Sequence, residues 1–363
     1  IIVNVLMFFI FTAQAVKRFK LVTAVNISRG ALFLLFVIAL FAAGRLGYTD
    51  LYIAYIVAGS ILLILVTVHL RESLFLHVTP NKSLRTYGKE NISIGIFVLL
   101  GNFIAVLMIT VDRLTVSSFF PITEFAHYTF AMSMCGLVTT FVQAVSLVFF
   151  PYLSGSSSEL RCKAHRMLKP AITIFWAGAL VIYFPLTAFV GYYLPHYTAS
   201  LPLMAILLCM IGFSSQIQIL HVNFFKAYRQ QRMYFLIAGV CLVCAVILYL
   251  LAATLSGTLA SIAMTAVIAS VLWYLLNEFS LRRLVSMDTR GIARWLLVIG
   301  VYAGAFLAIS TLVQGWIWGM VTYLAVFAAV TGAFLRPEAV SLMRLAGAVM
   351  KRKKDVAVVQ REK

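Results

Sequence analysis

Long apolar runs separated by short polar gaps make up most of this 363-residue chain. Eleven of these runs approach the roughly 20 residues that a helix needs to cross a bilayer. They cover residues 1–16, 30–43, 51–69, 92–120, 125–151, 170–190, 201–225, 233–254, 258–280, 295–313 and 316–335. The pattern predicts an all-α polytopic membrane protein with about eleven transmembrane helices.

The composition supports this prediction. Hydrophobic residues make up 63% of the chain and charged residues only 11%, whereas an average soluble domain has about 25% charged residues. A chain with so little charge is expected to lie in lipid.

Basic residues fall in every second gap. Of the 29 Lys and Arg residues, all but Arg45 and Arg113 lie in alternate gaps or in the C-terminal tail. Because basic loops stay on the cytoplasmic side of the membrane, residue 1 is predicted outside and the C-terminus in the cytoplasm. The net charge of +18 is then an orientation signal and a contact with anionic lipids. Nucleic acid is not expected as a partner.

An internal repeat suggests how the helices are grouped. A displacement of 212 residues places Lys17 on Arg229 and Arg71 on Arg283; the alternative is a chance alignment of basic loops. The expected organisation is the end of one lobe with three helices (1–90), a six-helix lobe (91–285), two additional helices (286–335) and a basic cytoplasmic tail (336–363). By the same offset, about 120 residues, or three helices, are expected before residue 1.

One helix junction resembles a known family. Asp112-Arg113-Leu114 closes a long run and is followed by the segment 124–131 (EFAHYTFA), which contains Tyr128. This resembles the seventh-to-eighth helix junction of bacterial polysaccharide flippases, which belong to the multidrug, oligosaccharidyl-lipid and polysaccharide exporter superfamily. The basic turns at 15–20 and 225–229 are similar to two further junctions of the family. The chain departs from the family pattern in having Ala126 and His127 where a Gly often precedes the Tyr.

The resemblance implies a function and a set of partners. Such a protein moves an undecaprenyl-diphosphate-linked oligosaccharide, for example an O-antigen unit, from the cytoplasmic to the periplasmic leaflet of the bacterial inner membrane. The expected architecture is a two-lobed bundle with a hydrated cavity that works by alternating access. The implied partners are the lipid-linked oligosaccharide, anionic lipids and the polysaccharide polymerase machinery.

Two charged residues stand out because charge in hydrocarbon costs several kcal/mol. Asp112 and Arg113 are the only charged residues predicted inside a run and away from a cytoplasmic end. At 100° per residue Arg113 shares a stripe with Asn102, so we expect it to face the cavity, where a guanidinium can bind a phosphate. Asp112 would then hold its helix to a neighbour. The alternative is an anchor at the outer interface whose side chains reach water.

Polar stripes supply the other candidate residues. Gln218 and His221 follow Ser214 at helical spacing, and Gln143 lies between Thr139 and Ser146. Amide and hydroxyl groups suit sugar hydroxyls, but they also join helices to one another. His221 could titrate near neutral pH, although a lone His near a helix end is more often a satisfied surface residue.

No motif indicates a cofactor or a metal. Cys241 and Cys244 lie in an apolar run without a second pair of ligands, so zinc is not expected, and no nucleotide-binding loop occurs. A membrane-embedded polymerase or glycosyltransferase would need an acid or base in a sizeable polar loop. The largest outer gap, 191–200, contains no Asp, Glu, Lys or Arg, and His196 is its only candidate for titration near neutral pH. We therefore do not expect an enzyme.

Two other functions remain open. A cation-coupled multidrug exporter of the same superfamily would need acidic residues inside the runs, and Asp112 is the sole candidate because Glu72, Glu90 and Glu278 all border cytoplasmic gaps. A passive assembly scaffold is the other alternative.

Overall fold

The apolar runs fold into helices. The computed structural model describes residues 2–15, 18–44, 47–74, 83–154, 157–282, 284 and 289–341, and these residues contain no strand. In chain order the helices are α1 (Ile2–Ala15), α2 (Phe19–Ala42), α3 (Tyr48–Leu74), α4 (Ser83–Phe119), α5 (Ile122–Ser154), α6 (Ser158–Ala179), α7 (Tyr183–Tyr193), α8 (Leu201–Ser215), α9 (Val222–Ala227), α10 (Gln231–Leu255), α11 (Leu259–Leu281), α12 (Thr289–Leu312) and α13 (Trp316–Phe334). Two 3₁₀ turns, Leu180–Ile182 and Pro195–Ser200, flank α7, and a π-helical turn, Gln216–His221, joins α8 to α9.

The prediction of an all-α polytopic membrane protein is confirmed. In the part of the chain that the structure describes, ten helical segments are long and apolar enough to cross a membrane. The first predicted run, residues 1–16, folds as α1, which has 14 residues and is therefore about 21 Å long. It is shorter than the hydrocarbon core of a bilayer, which is about 30 Å thick.

Large apolar side chains cover the outside of the helices. Leu35 on α2, Leu99 on α4 and Val243 on α10 are each more than 60% exposed. Such an extensive apolar surface is unfavourable in water, whereas it is compatible with the apolar acyl chains of a bilayer. The described surface therefore fits the membrane location that the composition predicts.

The chain divides into two units, residues 1–89 and 90–363. In the first unit, α1, α2 and α3 pack on one another through a small apolar core that includes Leu6, Val25 and Leu62. In the second unit α8 lies at the centre and contacts α5, α6, α11 and α12. The helix is apolar on all sides, as expected for a helix that other helices surround.

The last two helices pack on α6, α7 and α8. Tyr323 of α13 donates a hydrogen bond from its hydroxyl to the carbonyl of Ala177 at 2.8 Å, and its ring packs near those of Phe184 and Phe306. Gly319 allows this approach, because a Cβ atom there would lie 2.7 Å from Phe184. These helices are therefore an integral part of the second unit. The predicted basic tail beyond residue 341 lies outside the described residues.

One helix begins much earlier than its apolar run. The sequence pattern places the start at residue 170, but α6 begins at Ser158, where the Ser157 hydroxyl caps the helix. Its first three turns carry Arg161, Lys163 and Arg166, so the apolar signal starts only after them. Lys169 therefore lies inside a helix and not in a loop.

Candidate functional site

Three ionisable side chains meet inside the second unit: Lys169 of α6, His221 of the π-helical turn and Glu278 of α11. They are 1%, 0% and 2% exposed. The Lys169 Nζ lies 2.5 Å from Glu278 Oε1, and His221 Nε2 lies 2.9 Å from the same oxygen. We call these residues the Lys–Glu–His cluster. One carboxylate oxygen thus holds two nitrogen partners from two other segments.

The position of Lys169 depends on an irregular turn of α6. The next residue, Pro170, lies within the helix and has no N–H, so one backbone hydrogen bond of α6 is missing. Gln216, itself fully buried, donates from Nε2 to the Lys169 carbonyl at 3.1 Å and to Thr173 Oγ1 at 2.9 Å. The amide thereby fixes the turn that carries the lysine.

The π-helical turn brings the histidine to the same place. Gln216 and His221 are five residues apart, which in an α-helix separates them by about 140° around the axis. An i→i+5 turn is wider and moves such residues towards one face, and turns of this kind occur frequently at functional sites. Both side chains are buried against α6 and α11. The irregular backbone is therefore what points Gln216 and His221 into the cluster.

Aromatic rings enclose the charges. The Lys169 Nζ lies 5.4 Å from the ring centre of Tyr274 and 5.9 Å from that of Trp295, distances at which a ring stabilises a cation. The rings of His221 and Tyr274 lie 5.5 Å apart. These side chains separate the ion pair from lipid and from water.

The hydrogen bonding of this region is incomplete. His221 Nδ1, Gln216 Oε1 and Asn277 Oδ1 are buried without a hydrogen-bond partner among the described residues. Most buried polar groups in proteins have a partner, and exceptions are often functional. A buried ion pair also contributes little to stability compared with apolar residues of the same volume. The cluster is therefore a candidate site for binding and exchanging a proton, since each of its three side chains can carry one.

A second buried polar contact joins α4 to α5. The Tyr128 hydroxyl donates to Asp112 Oδ2 at 2.9 Å, and the backbone N–H of Arg113 donates to Asp112 Oδ1 at 2.7 Å. Asp112 and Tyr128 are 1% and 0% exposed. Two of the residues that carry the family resemblance, Asp112 and Tyr128, are thus in direct contact.

Arg113 beside this contact is half-buried. Among the described residues its guanidinium makes no ion pair, and its buried Nε has no hydrogen-bond partner. Val106 and Ile109, which lie seven and four residues before Arg113 and therefore on the same side of α4, are exposed. Asn102 lies on the same helix, but its side chain is not among those that the structure describes. Arg113 is therefore a cation at the edge of the packed unit, without a carboxylate partner in the described part.

The remaining predicted residues lie towards the other end of the helices. Gln143 of α5 is exposed, and Gln218 of the π-helical turn is half-buried. The carbonyl of Gln218 accepts a hydrogen bond from Ser146 at 2.8 Å, which joins α5 to this turn. His221 is not a surface residue, because it lies in the Lys–Glu–His cluster. The structure thus groups His221 with Lys169 and Glu278, and it groups Asp112 with Tyr128.

Asp112 and Arg113 were predicted to be the only charged residues inside a run and away from a cytoplasmic end, and the structure adds two buried charges that lie near such an end. Lys169 was expected in a cytoplasmic gap and Glu278 beside one, yet both are buried in α6 and α11. One signal was present in the sequence: Glu278 falls within the apolar run 258–280, one helical turn after Tyr274. No such signal marks Lys169, which precedes the run 170–190.

No protein-family model matches the chain, and no curated protein matches it significantly.

Proposed function

We propose that this chain is a flippase that moves an undecaprenyl-diphosphate-linked oligosaccharide from the cytoplasmic to the periplasmic leaflet of a bacterial inner membrane by alternating access. The sugar would cross through a polar pathway while the prenyl chain stays in lipid. The proposal begins from the resemblance of the junction at residues 112–131 to that of polysaccharide flippases. Its physical basis is the arrangement of charges at that junction.

The observation that carries the proposal is the contact between Tyr128 and Asp112. Because the carboxylate accepts from the tyrosine hydroxyl and from a backbone N–H, it is satisfied without the neighbouring guanidinium. Arg113 therefore keeps its hydrogen-bonding groups for another anion. A guanidinium suits the oxygen atoms of a phosphate group, which it can bind with two parallel hydrogen bonds.

The diphosphate of the cargo is the anion that fits this position. A half-buried cation at the edge of a membrane helix can hold a phosphate while the lipid chain stays in the bilayer. The basic gaps predicted on the cytoplasmic side would attract anionic lipids, including the lipid-linked substrate. Polysaccharide polymerase machinery is the proposed partner that receives the product.

The test replaces Arg113 in cells that lack their own flippase and depend on this protein for surface polysaccharide. Arg113→Ala should lower surface polysaccharide at equal membrane abundance, and Arg113→Lys should retain part of it because the positive charge remains. Lys163→Ala is the matched control, since Lys163 is an exposed cation on α6. Equal export by wild type and Arg113→Ala would contradict the proposed role of Arg113 in binding the diphosphate.

A second candidate function is a cation-coupled multidrug exporter of the same superfamily. Buried Glu278 favours it, because such exporters need acidic groups inside the membrane and Asp112 is then not the only one. Expression in a drug-sensitive strain distinguishes the two functions. The flippase proposal predicts unchanged resistance to cationic drugs, whereas resistance that Glu278→Gln abolishes would favour the exporter.

A further inference from the structure

We infer that the Lys–Glu–His cluster is a proton-binding site through which the protein couples transport to a proton gradient, with Glu278 as the group that takes up and releases the proton. The inference rests on the proposed transport function but concerns a different site, far along the helices from Arg113. It names the driving ion and the residue that binds it.

The buried ion pair is costly to maintain. A carboxylate and an ammonium inside a membrane bundle each carry a desolvation cost of several kcal/mol, which their attraction offsets only when the geometry is good. Ionisable residues inside membrane helices usually mark ion pathways and proton relays. Both groups of this pair are almost fully buried, and polar atoms of Gln216 and His221 beside them lack partners among the described residues. In a contact with a purely structural role, the buried polar atoms beside the ion pair would be expected to have hydrogen-bond partners.

One oxygen of Glu278 has two competing partners. Glu278 Oε1 lies 2.5 Å from the Lys169 ammonium and 2.9 Å from His221 Nε2. The imidazole can carry a proton to that oxygen and can be reprotonated on its other nitrogen, since His221 Nδ1 has no partner in the described part. A neutral imidazole can relay a proton when one ring nitrogen is hydrogen-bonded to the proton acceptor and the other ring nitrogen has no hydrogen-bond partner.

The proton balance is simple. When the Glu278 carboxylate accepts one proton from water through His221, an O–H bond forms and the carboxyl becomes neutral. The Lys169 ammonium keeps its protons and loses its counter-charge. In the other half of the cycle the carboxyl returns the proton to water and the ion pair forms again. One proton is therefore bound and released in each cycle.

Loss of the ion pair has a structural consequence because two of the segments that form the cluster, α6 and the turn that carries His221, have an irregular backbone there. Lys169 precedes Pro170, where α6 lacks a backbone hydrogen bond,. His221 ends the π-helical turn between α8 and α9. Helices bend at prolines and π-helical turns. Protonation of Glu278 thus releases the polar first turns of α6 from α11 at a point where α6 can bend.

The ammonium favours a proton over a metal ion as the coupling ion. A metal cation would have to displace the Lys169 ammonium from the single carboxylate of the cluster and lie beside a positive charge. A proton needs no new coordination sphere, because it can move along the hydrogen bond that already joins His221 Nε2 to Glu278 Oε1. The Lys–Glu–His cluster is built from groups that exchange protons.

Other charged and titratable groups also surround Glu278. They are Lys169 and His165 from α6, His221 from the π-helical turn and Tyr274 from α11 itself. From α12, the Trp295 ring lies near the lysine, and the guanidinium of the exposed Arg294 lies 5.9 Å from the centre of that ring. Glu278 is the only carboxylate among these groups, so a carboxyl signal from the cluster identifies it.

The route to water is short. Glu278 lies three residues before the end of α11 at Leu281, and His221 lies six residues before the end of α9 at Ala227. At 1.5 Å per residue these distances are about 5 and 9 Å. A modest opening at this end of the helices, which the charge pattern assigns to the cytoplasm, would connect the cluster with water.

The test measures proton uptake directly, so it does not depend on the cargo. Infrared difference spectra of the purified protein in lipid, recorded as the pH is lowered, detect the C=O band of a newly protonated carboxyl group. Wild type should show a band that is lost in Glu278→Gln. The matched control is Glu338→Gln, which removes a carboxylate from the more exposed ion pair with Arg294 and should leave the band in place.

Two further variants separate proton binding from folding. Lys169→Met/Glu278→Gln removes both charges, leaves no lone buried ion and should also lack the band. Glu278→Asp should shift the band. This shift would assign the band to residue 278 even if Glu278→Gln and Lys169→Met/Glu278→Gln both fail to fold. If the wild-type spectrum contains no component that the loss of the Glu278 carboxyl removes, down to the pH of unfolding, the inference is overturned.

Transport is measured on the same variants. Wild-type export of surface polysaccharide should fall when a protonophore removes the gradient, and the folded double variant should lose this sensitivity together with most export. Protonophore-sensitive export by the double variant would show that the cluster is only structural. If Glu278 binds a proton but no variant affects polysaccharide, the proposed cargo is wrong and the proton site stands. If export depends on Arg113 but Glu278 never takes up a proton, the cargo stands and the proton site is wrong.

Discussion

Removal of the Lys169 ammonium should strongly destabilise the second unit. Lys169→Met keeps an unbranched side chain of similar length, so the packing against Tyr274 and Trp295 changes little. The Glu278 carboxylate then keeps only His221 as a partner on Oε1. Breaking a buried ion pair by removing one member costs about 3–5 kcal/mol. Because the imidazole at 2.9 Å still donates to the carboxylate, we expect a value near the lower end, about 3 kcal/mol.

The double variant Lys169→Met/Glu278→Gln should be much closer to wild type. It removes both charges of the buried pair, and replacing both members of a buried pair is often neutral. The difference between the double variant and the sum of the two single variants should therefore be at least about 2 kcal/mol, within the range of coupling energies for residues in contact. The Arg294–Glu338 pair is the control: Arg294 is 52% exposed, and surface pairs contribute about 0–1 kcal/mol.

The assay is equilibrium unfolding of the purified protein in mixed micelles, followed by circular dichroism as a denaturing detergent is added. Protein abundance in the membrane gives a second reading. If Lys169→Met unfolds within about 0.5 kcal/mol of wild type, as surface substitutions usually do, then the ion pair is not held in a low-dielectric interior and the energetic reasoning above is wrong.

Two further predictions concern packing and topology. Gly212→Ala should lower the melting temperature relative to Gly300→Ala. A Cβ at position 212 would lie 2.7 Å from the Trp176 ring, whereas nothing lies within 4 Å of a Cβ at position 300. Overpacking costs about 1–3 kcal/mol, so equal melting temperatures would contradict the close contact. Single cysteines can be placed at the exposed positions of Lys163 and His196 in a background without other cysteines. They should react with an impermeant reagent from opposite sides of the membrane, the cysteine at position 163 from the cytoplasm. Reaction of both from the same side would contradict the predicted orientation.

The candidate site was only partly predictable from the sequence. Asp112 and Arg113 are visible because they interrupt an uncharged run, and charge inside hydrocarbon is rare and costly. Glu278 carries the same kind of signal, but its nearness to a basic gap led to the expectation of an interfacial residue. Lys169 gives no signal of this kind, since a lysine at the edge of an apolar run is most often in water.

The sequence by itself determined that the chain is a bundle of membrane helices, because apolar runs of spanning length can satisfy their backbone in lipid only as helices. It also supplied the charge pattern from which the orientation is predicted. The tertiary structure alone decided which charges are buried together. Lys169, His221 and Glu278 are far apart in the sequence, and they meet because α6 begins twelve residues before its apolar run and because the π-helical turn rotates His221 inward. Neither feature follows from residue periodicity, since both depend on how α6, α8 and α11 pack against one another.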